Sequence, residues 1–133
     1  MDEINKIAQK IIEELKKDDF IIQRYDSYSS KSVYLKIDFG VCNSIRISDH
    51  TGKGHLKYRY NIQTDIKENR IEDNKFERRY YRADNVKELI KDIKKAKKDK
   101  LKKYGKENYE KYMEQNKKDG HKKKGFWQEA IIV

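Results

Sequence analysis

The chain has 133 residues, of which 42% are charged and 35% hydrophobic, with a formal net charge of +10. An apolar fraction below the usual ~45–50% excludes a large multilayer core and leaves one ordinary domain, or a smaller core with a helical tail. One cysteine excludes an internal disulfide and a multi-thiolate metal centre, and no apolar run nears the ~18 residues that a membrane span needs.

Ile4, Ile7, Ala8, Ile11, Ile12 and Leu15 recur at helical spacing, which predicts an amphipathic helix over residues 2–17, ended by Asp18-Asp19. Its acidic opening, Met1-Asp2-Glu3, is unlike a secretory leader, so the expected compartment is the reducing cytoplasm. Phe20-Ile21-Ile22 begins a short buried strand, and the polar run over residues 26–31 is a loop. From Val33 the period becomes two: Val33, Leu35, Ile37 and Phe39 alternate with Tyr34, Lys36 and Asp38 in a half-buried strand. After a tight connection at residues 40–43, Ile45 and Ile47 alternate with Ser44, Arg46 and Ser48. The Asp and Gly residues of 49–54 suit a hairpin loop, and Leu56, Tyr58, Tyr60 and Ile62 then mark the next strand.

Residues 63–75 read as an exposed polar connection, and 76–82 as a fourth or fifth strand with Phe76 and Tyr80 inward, Tyr81 competing. Asn85 followed by Glu88 has capping-box spacing for a helix with Val86, Leu89, Ile90 and Ile93 on its apolar face. Gly105 interrupts it, and Tyr109, Tyr112 and Met113 give a weaker second helical face. The expected fold is α+β, an antiparallel meander sheet of four to five strands with an N-terminal helix and C-terminal helices on one face. Residues 1–104 would form the core domain and 105–133 a basic helical extension with an apolar end.

Charge is segregated. Residues 1–86 hold 17 basic and 15 acidic side chains, whereas 87–124 hold 16 basic and 7 acidic. Lys94, Lys95, Lys97 and Lys98 lie at the centre of that second stretch, suited to a polyanion or an acidic protein patch; a solvated helix face is the plainer reading. On the sheet, the face opposite Ile45, Ile47, Tyr58 and Tyr60 would carry Tyr34, Lys36, Arg46, Lys57 and Arg59, joined by either Arg78 or Arg79. Arg, Lys and Tyr together make a phosphate-backbone platform with rings for base stacking. A lysine-rich chain also gives any wet sheet face a basic cast. Phe126 and Trp127, with Ile131 and Ile132, are too apolar for a free tail. They dock as an edge strand, pack on the core or anchor a partner.

Catalytic patterns are thin. Asp49, His50 and His55 share one loop with Cys42 nearby, a weaker set than the three or four fixed ligands of a metal site. A phosphate loop, GxGxxG and GxSxG are absent from the sequence. No catalytic residue, metal or cofactor is expected.

Ser44-Ile45-Arg46-Ile47-Ser48-Asp49-His50 resembles a strand end found in small basic proteins of Firmicute phages and prophages, followed there too by an aromatic strand and a Lys- and Ile-rich helix. One such group is the type II-A anti-CRISPR proteins, and the resemblance spans residues 33–95. It implies a non-enzymatic anti-defence protein of the infected host's cytoplasm, binding a CRISPR or other immune effector complex, with contact to guide RNA or DNA. Arg46, Asp49 and His50 are the positions that carry over. This chain departs from that group in opening with an amphipathic helix instead of an Arg-rich arm. Direct binding of DNA or RNA, and sequestration of a nucleotide immune signal, are the other readings.

Overall fold

The computed structural model describes residues 3–27, 32–48, 58–63, 66–67, 70–71, 76–82, 84–120 and 131–133. Helix α1 (Glu3–Lys16) forms where the helical spacing predicted it, and Ile4, Ala8, Ile11, Ile12 and Leu15 are all buried. It ends in a Schellman turn. Asp19 takes a left-handed φ of 61°, Phe20 N–H donates to Leu15 C=O, and Asp19 N–H donates to Lys16 C=O. Phe20 and Leu15, the apolar pair of that motif, are both buried.

The strands are β1 (Ile22–Asp26), β2 (Ser32–Ile37), β3 (Ser44–Ser48), β4 (Tyr58–Gln63), β5 (Ile66–Lys67), β6 (Arg70–Ile71), β7 (Phe76–Tyr81) and β8 (Ile131–Ile132). The main sheet runs β7-β4-β3-β2-β1-β8 with every pair antiparallel. Its first five members are the expected meander, interrupted by a small β5–β6 hairpin where the sequence suggests only a polar connection. The sixth is the apolar C-terminal segment, which returns to the β1 edge. Helices α2 (Val86–Tyr104) and α3 (Lys106–Gly120) complete an α+β fold.

One core holds it together. Ile22, Val33, Leu35, Ile37, Ile45, Ile47, Tyr58 and Tyr81 from the sheet pack with the apolar face of α1 and with Leu89 and Ile93 of α2. The helices cover this face of the antiparallel sheet; on the other face Ser32 and Ser48 are buried and Tyr25, Tyr34, Lys36 and Arg46 are half-buried.

Three local expectations are corrected. The β2 alternation stops at Ile37, because Asp38 and Phe39 take left-handed φ of 50° and 55° and turn into a short 3₁₀ segment, Asp38–Gly40. Asp38, expected on the wet face, is instead fully buried. In β7 Tyr81 faces the core and Tyr80 is 46% exposed, since Tyr81 pairs with Tyr58 and Tyr80 with Arg59. Asn85 stands before α2 as predicted, but its side chain makes no capping bond; only its C=O accepts, from Leu89 N–H.

The Tyr81 hydroxyl donates to Asp92 of α2 at 2.6 Å, and burial together with that carboxylate pushes the phenol above its ordinary 10.0. Above about pH 10 the unfolded chain therefore loses this proton while the folded chain keeps it, so stability falls as pH rises through that window. Tyr81→Phe should flatten the alkaline fall seen in urea melts between pH 9 and pH 11, leaving the smaller part contributed by buried Tyr58, which shifts the same way.

Gly105 separates α2 from α3 with φ 85° and ψ 154°, a conformation essentially reserved for glycine. A Cβ there would meet nothing within 4 Å, so the cost of Gly105→Ala is conformational and not steric. We expect about 1–3 kcal/mol of destabilisation in denaturant melts.

Candidate functional site

Residues directly opposite one another in an antiparallel pair lie on the same face. Tyr25 stands opposite Tyr34, Tyr34 opposite Arg46, Arg46 opposite Arg59, and Arg59 opposite Tyr80. One transverse row therefore crosses five strands as Tyr-Tyr-Arg-Arg-Tyr, about 19 Å long at the usual strand spacing. The next row reads Gln23, Lys36, Ser44, Asn61 and Arg78. Ser32 and Ser48 continue the face in a third row, joined by a 3.1 Å hydroxyl bond. No Asp or Glu occupies a position of this face in the five described strands.

Tyr25, Tyr34, Lys36 and Arg46 are half-buried. The Tyr25 and Tyr34 rings lie 6.4 Å apart at 50°, a tilted pair that leaves neither ring stacked flat on the other. Tyr80, at the far end of the row, is exposed.

The strand register accordingly places positions Lys36, Arg46, Arg59 and Arg78 of the expected basic face on one side of the sheet. Arg79 falls in the opposite register, across from Tyr60, and so on the helix side. Tyr25 and Tyr80 complete the row although no sequence pattern selects them: Tyr25 sits in a strand without clear alternation, and Tyr80 is half of a Tyr-Tyr pair. Lys57, Asp49, His50, Phe126 and Trp127 lie outside the described residues.

The lysines of α2 divide in two. Lys97 turns inward: its ammonium is 3.0 Å from Asp38 Oδ2, donates to Asp19 C=O at 2.9 Å and lies 4.4 Å from the centre of the Phe20 ring. Lys94 pairs with Asp18 at 2.6 Å. Lys100 donates to Val41 C=O at 2.5 Å and Asn43 Oδ1 at 2.8 Å, and burial pushes its amine below the usual value. Lys95 and Lys98 point outward, and no carboxylate pairs with either among the described residues. Of the four lysines singled out from the sequence, Lys94 and Lys97 are engaged within the fold and Lys95 and Lys98 are exposed.

Comparison with known proteins finds nothing. No protein-family model, no curated protein and no solved structure matches the chain.

The site chemistry therefore has to be read from the residues themselves. Cys42 is fully buried, its thiol directed at Ile93 C=O at 3.7 Å, which is the setting of a small core hydrophobe. The carboxylate-free sheet face is different in kind. Guanidinium groups fit phosphate oxygens in bidentate fashion, and tyrosine rings offer a flat surface that accepts any base.

Proposed function

We propose that this is a non-enzymatic binding protein whose sheet face opposite the helices seats a single-stranded nucleic acid, and that it acts as an anti-defence inhibitor by occupying a host immune nucleoprotein complex through that complex's RNA or DNA. The observation that carries the binding reading is the Tyr25-Tyr34-Arg46-Arg59-Tyr80 row, on a face to which the described strands contribute no carboxylate. Single strands expose bases that stack on sheet-borne aromatics, whereas a duplex presents mainly phosphates to such a surface. The anti-defence part rests on the resemblance at residues 44–50.

Affinity capture with the full chain tests both parts, from lysate of a low-GC bacterium carrying CRISPR and other immune systems, in nuclease-treated and untreated halves. The expected catch is one immune complex together with its RNA or DNA. Bulk nucleic acid without a protein complex, lost on nuclease treatment, would retain the platform and remove the anti-defence assignment. A catch free of nucleic acid in both halves would overturn the platform itself.

A further inference from the structure

A second surface lies away from that row, as an open groove of about 1640 Å³ between α2, α3 and the turn that follows α1. We propose that this groove docks an amphipathic helix from an acidic partner protein, with one carboxylate-rich flank laid along α2.

The apolar part of the lining comes from Phe20 and Ile21 in the turn, Ile90 and Leu101 of α2, and Met113 of α3. Ile90 and Leu101 are only half-buried and stand at the two ends of a groove-facing row whose middle positions are Lys94 and Lys97. Directly beside it run Lys87, Lys91, Lys95 and Lys98, at i, i+4, i+8 and i+11. None of these four ammonium groups has a carboxylate or hydrogen-bond partner among the described residues. Like charges at i, i+4 destabilise a helix, and carboxylates supplied from outside would relieve that repulsion.

Spacing selects the occupant. The lysine stripe covers about 16 Å of helix axis, or three turns, and a partner helix bearing Glu or Asp at the same intervals matches it in register. Nucleic acid is the poorer fit, because the floor formed by Phe20, Ile21, Ile90, Leu101 and Met113 suits leucine side chains and not a sugar-phosphate backbone. The α3 wall mixes Glu110 and Glu114 with Lys106 and Lys117, so it takes a flank of mixed charge opposite the acidic one. A second copy is disfavoured by the net charge of +10 on each chain.

The test uses the full chain and a labelled three-turn-or-longer synthetic helix with a leucine face and glutamates at i, i+4, i+8 and i+11, read by fluorescence anisotropy and by amide shift mapping. The Glu→Gln peptide and a single-stranded oligonucleotide of equal length serve as comparison probes. The expected result is binding of the glutamate peptide, with shifts at Ile90, Leu101 and Met113. The Glu→Gln peptide should lose at least tenfold in affinity, and so should the combined Lys87→Glu, Lys91→Glu, Lys95→Glu and Lys98→Glu variant. These lysines are exposed, and a circular dichroism spectrum matching that of the parent protein establishes that the variant is folded; the single Lys95→Glu change, with a smaller loss, is the second check. Binding that survives the charge reversals, or an oligonucleotide that displaces the peptide and shifts the same groove residues, would overturn the proposal. Tyr80→Ala should leave peptide binding unchanged, which separates failure of the groove from failure of the sheet platform.

Discussion

Replacing Asp38 by alanine should lower the free energy of unfolding by roughly 3–5 kcal/mol, the usual cost of removing one partner of a buried ion pair. Asp38 is fully buried, and three separate parts of the chain meet on its carboxylate. Oδ1 accepts from Ile21 N–H at 2.8 Å; Oδ2 accepts from the Tyr109 hydroxyl at 2.5 Å and faces Lys97 at 3.0 Å. Alanine would leave a buried N–H, a buried hydroxyl and a largely covered ammonium without their acceptor, in a backbone conformation that alanine disfavours. Against a total of about 5–15 kcal/mol for an ordinary domain, that is a large share. Urea melts should show a lower midpoint at an unchanged slope. Asp38→Asn keeps an oxygen for Ile21 and tolerates the left-handed φ, so its loss should be smaller. Combining it with Lys97→Met should cost less than the two single changes added together, because each alone strands the other group. Losses below about 1 kcal/mol for Asp38→Ala would mean that α3 is held by other contacts.

The second large effect is expected on the sheet face. Tyr80→Ala and Tyr34→Leu should each weaken single-stranded RNA binding by about 1–3 kcal/mol if each ring stacks one base. Tyr80 is exposed enough that its loss should leave the melting temperature nearly unchanged, which makes it the cleaner of the two variants. Arg46→Gln should act differently. It removes one phosphate partner, so the slope of log K against log salt should become shallower by about 0.7, the single-strand value per neutralised phosphate. Binding that is indifferent to all three changes would place the nucleic acid elsewhere on the molecule.

The parts of this fold that the sequence discloses are those governed by one uninterrupted period. Helix α1 follows from six apolar residues at helical spacing, and β3 from strict alternation about Arg46. Asp38 escapes that reading because the alternation Val33-Leu35-Ile37-Phe39 runs on past the point where the backbone turns left-handed. Pattern alone cannot register a φ reversal unless glycine marks it, and the nearest glycine, Gly40, comes two residues later.

The site is less legible for a related reason. Lys94, Lys95, Lys97 and Lys98 are chemically identical and adjacent, so composition cannot separate the ammonium that sits over Phe20 from those that face water. Only the helix's rotation against the turn after α1 decides. Likewise the Tyr-Tyr pair at 80–81 offers two registers of equal hydrophobicity, and the pairing with β4 chooses between them. Arg46 and Lys36 could be placed from alternation, whereas the row linking Tyr25 to Tyr80 exists only once five strands are in register.

The closing of the sheet by β8 bears on the order in which the molecule assembles. β1 to β4 join by neighbouring-strand pairings that bring together residues close in sequence, so they form with little loss of chain entropy. The β1–β8 pairing and the Asp38–Tyr109 bond, whose partners are 71 residues apart in the second case, require the chain to double back over most of its length. With Ile131 and Ile132 still 69% and 55% exposed, little apolar burial compensates for that closure. We expect the meander to form first and the C-terminal strand to dock last and open first, so the Val133 amide, which donates to Ile22 C=O, should exchange with solvent well before those of β2 and β3 in hydrogen-exchange measurements.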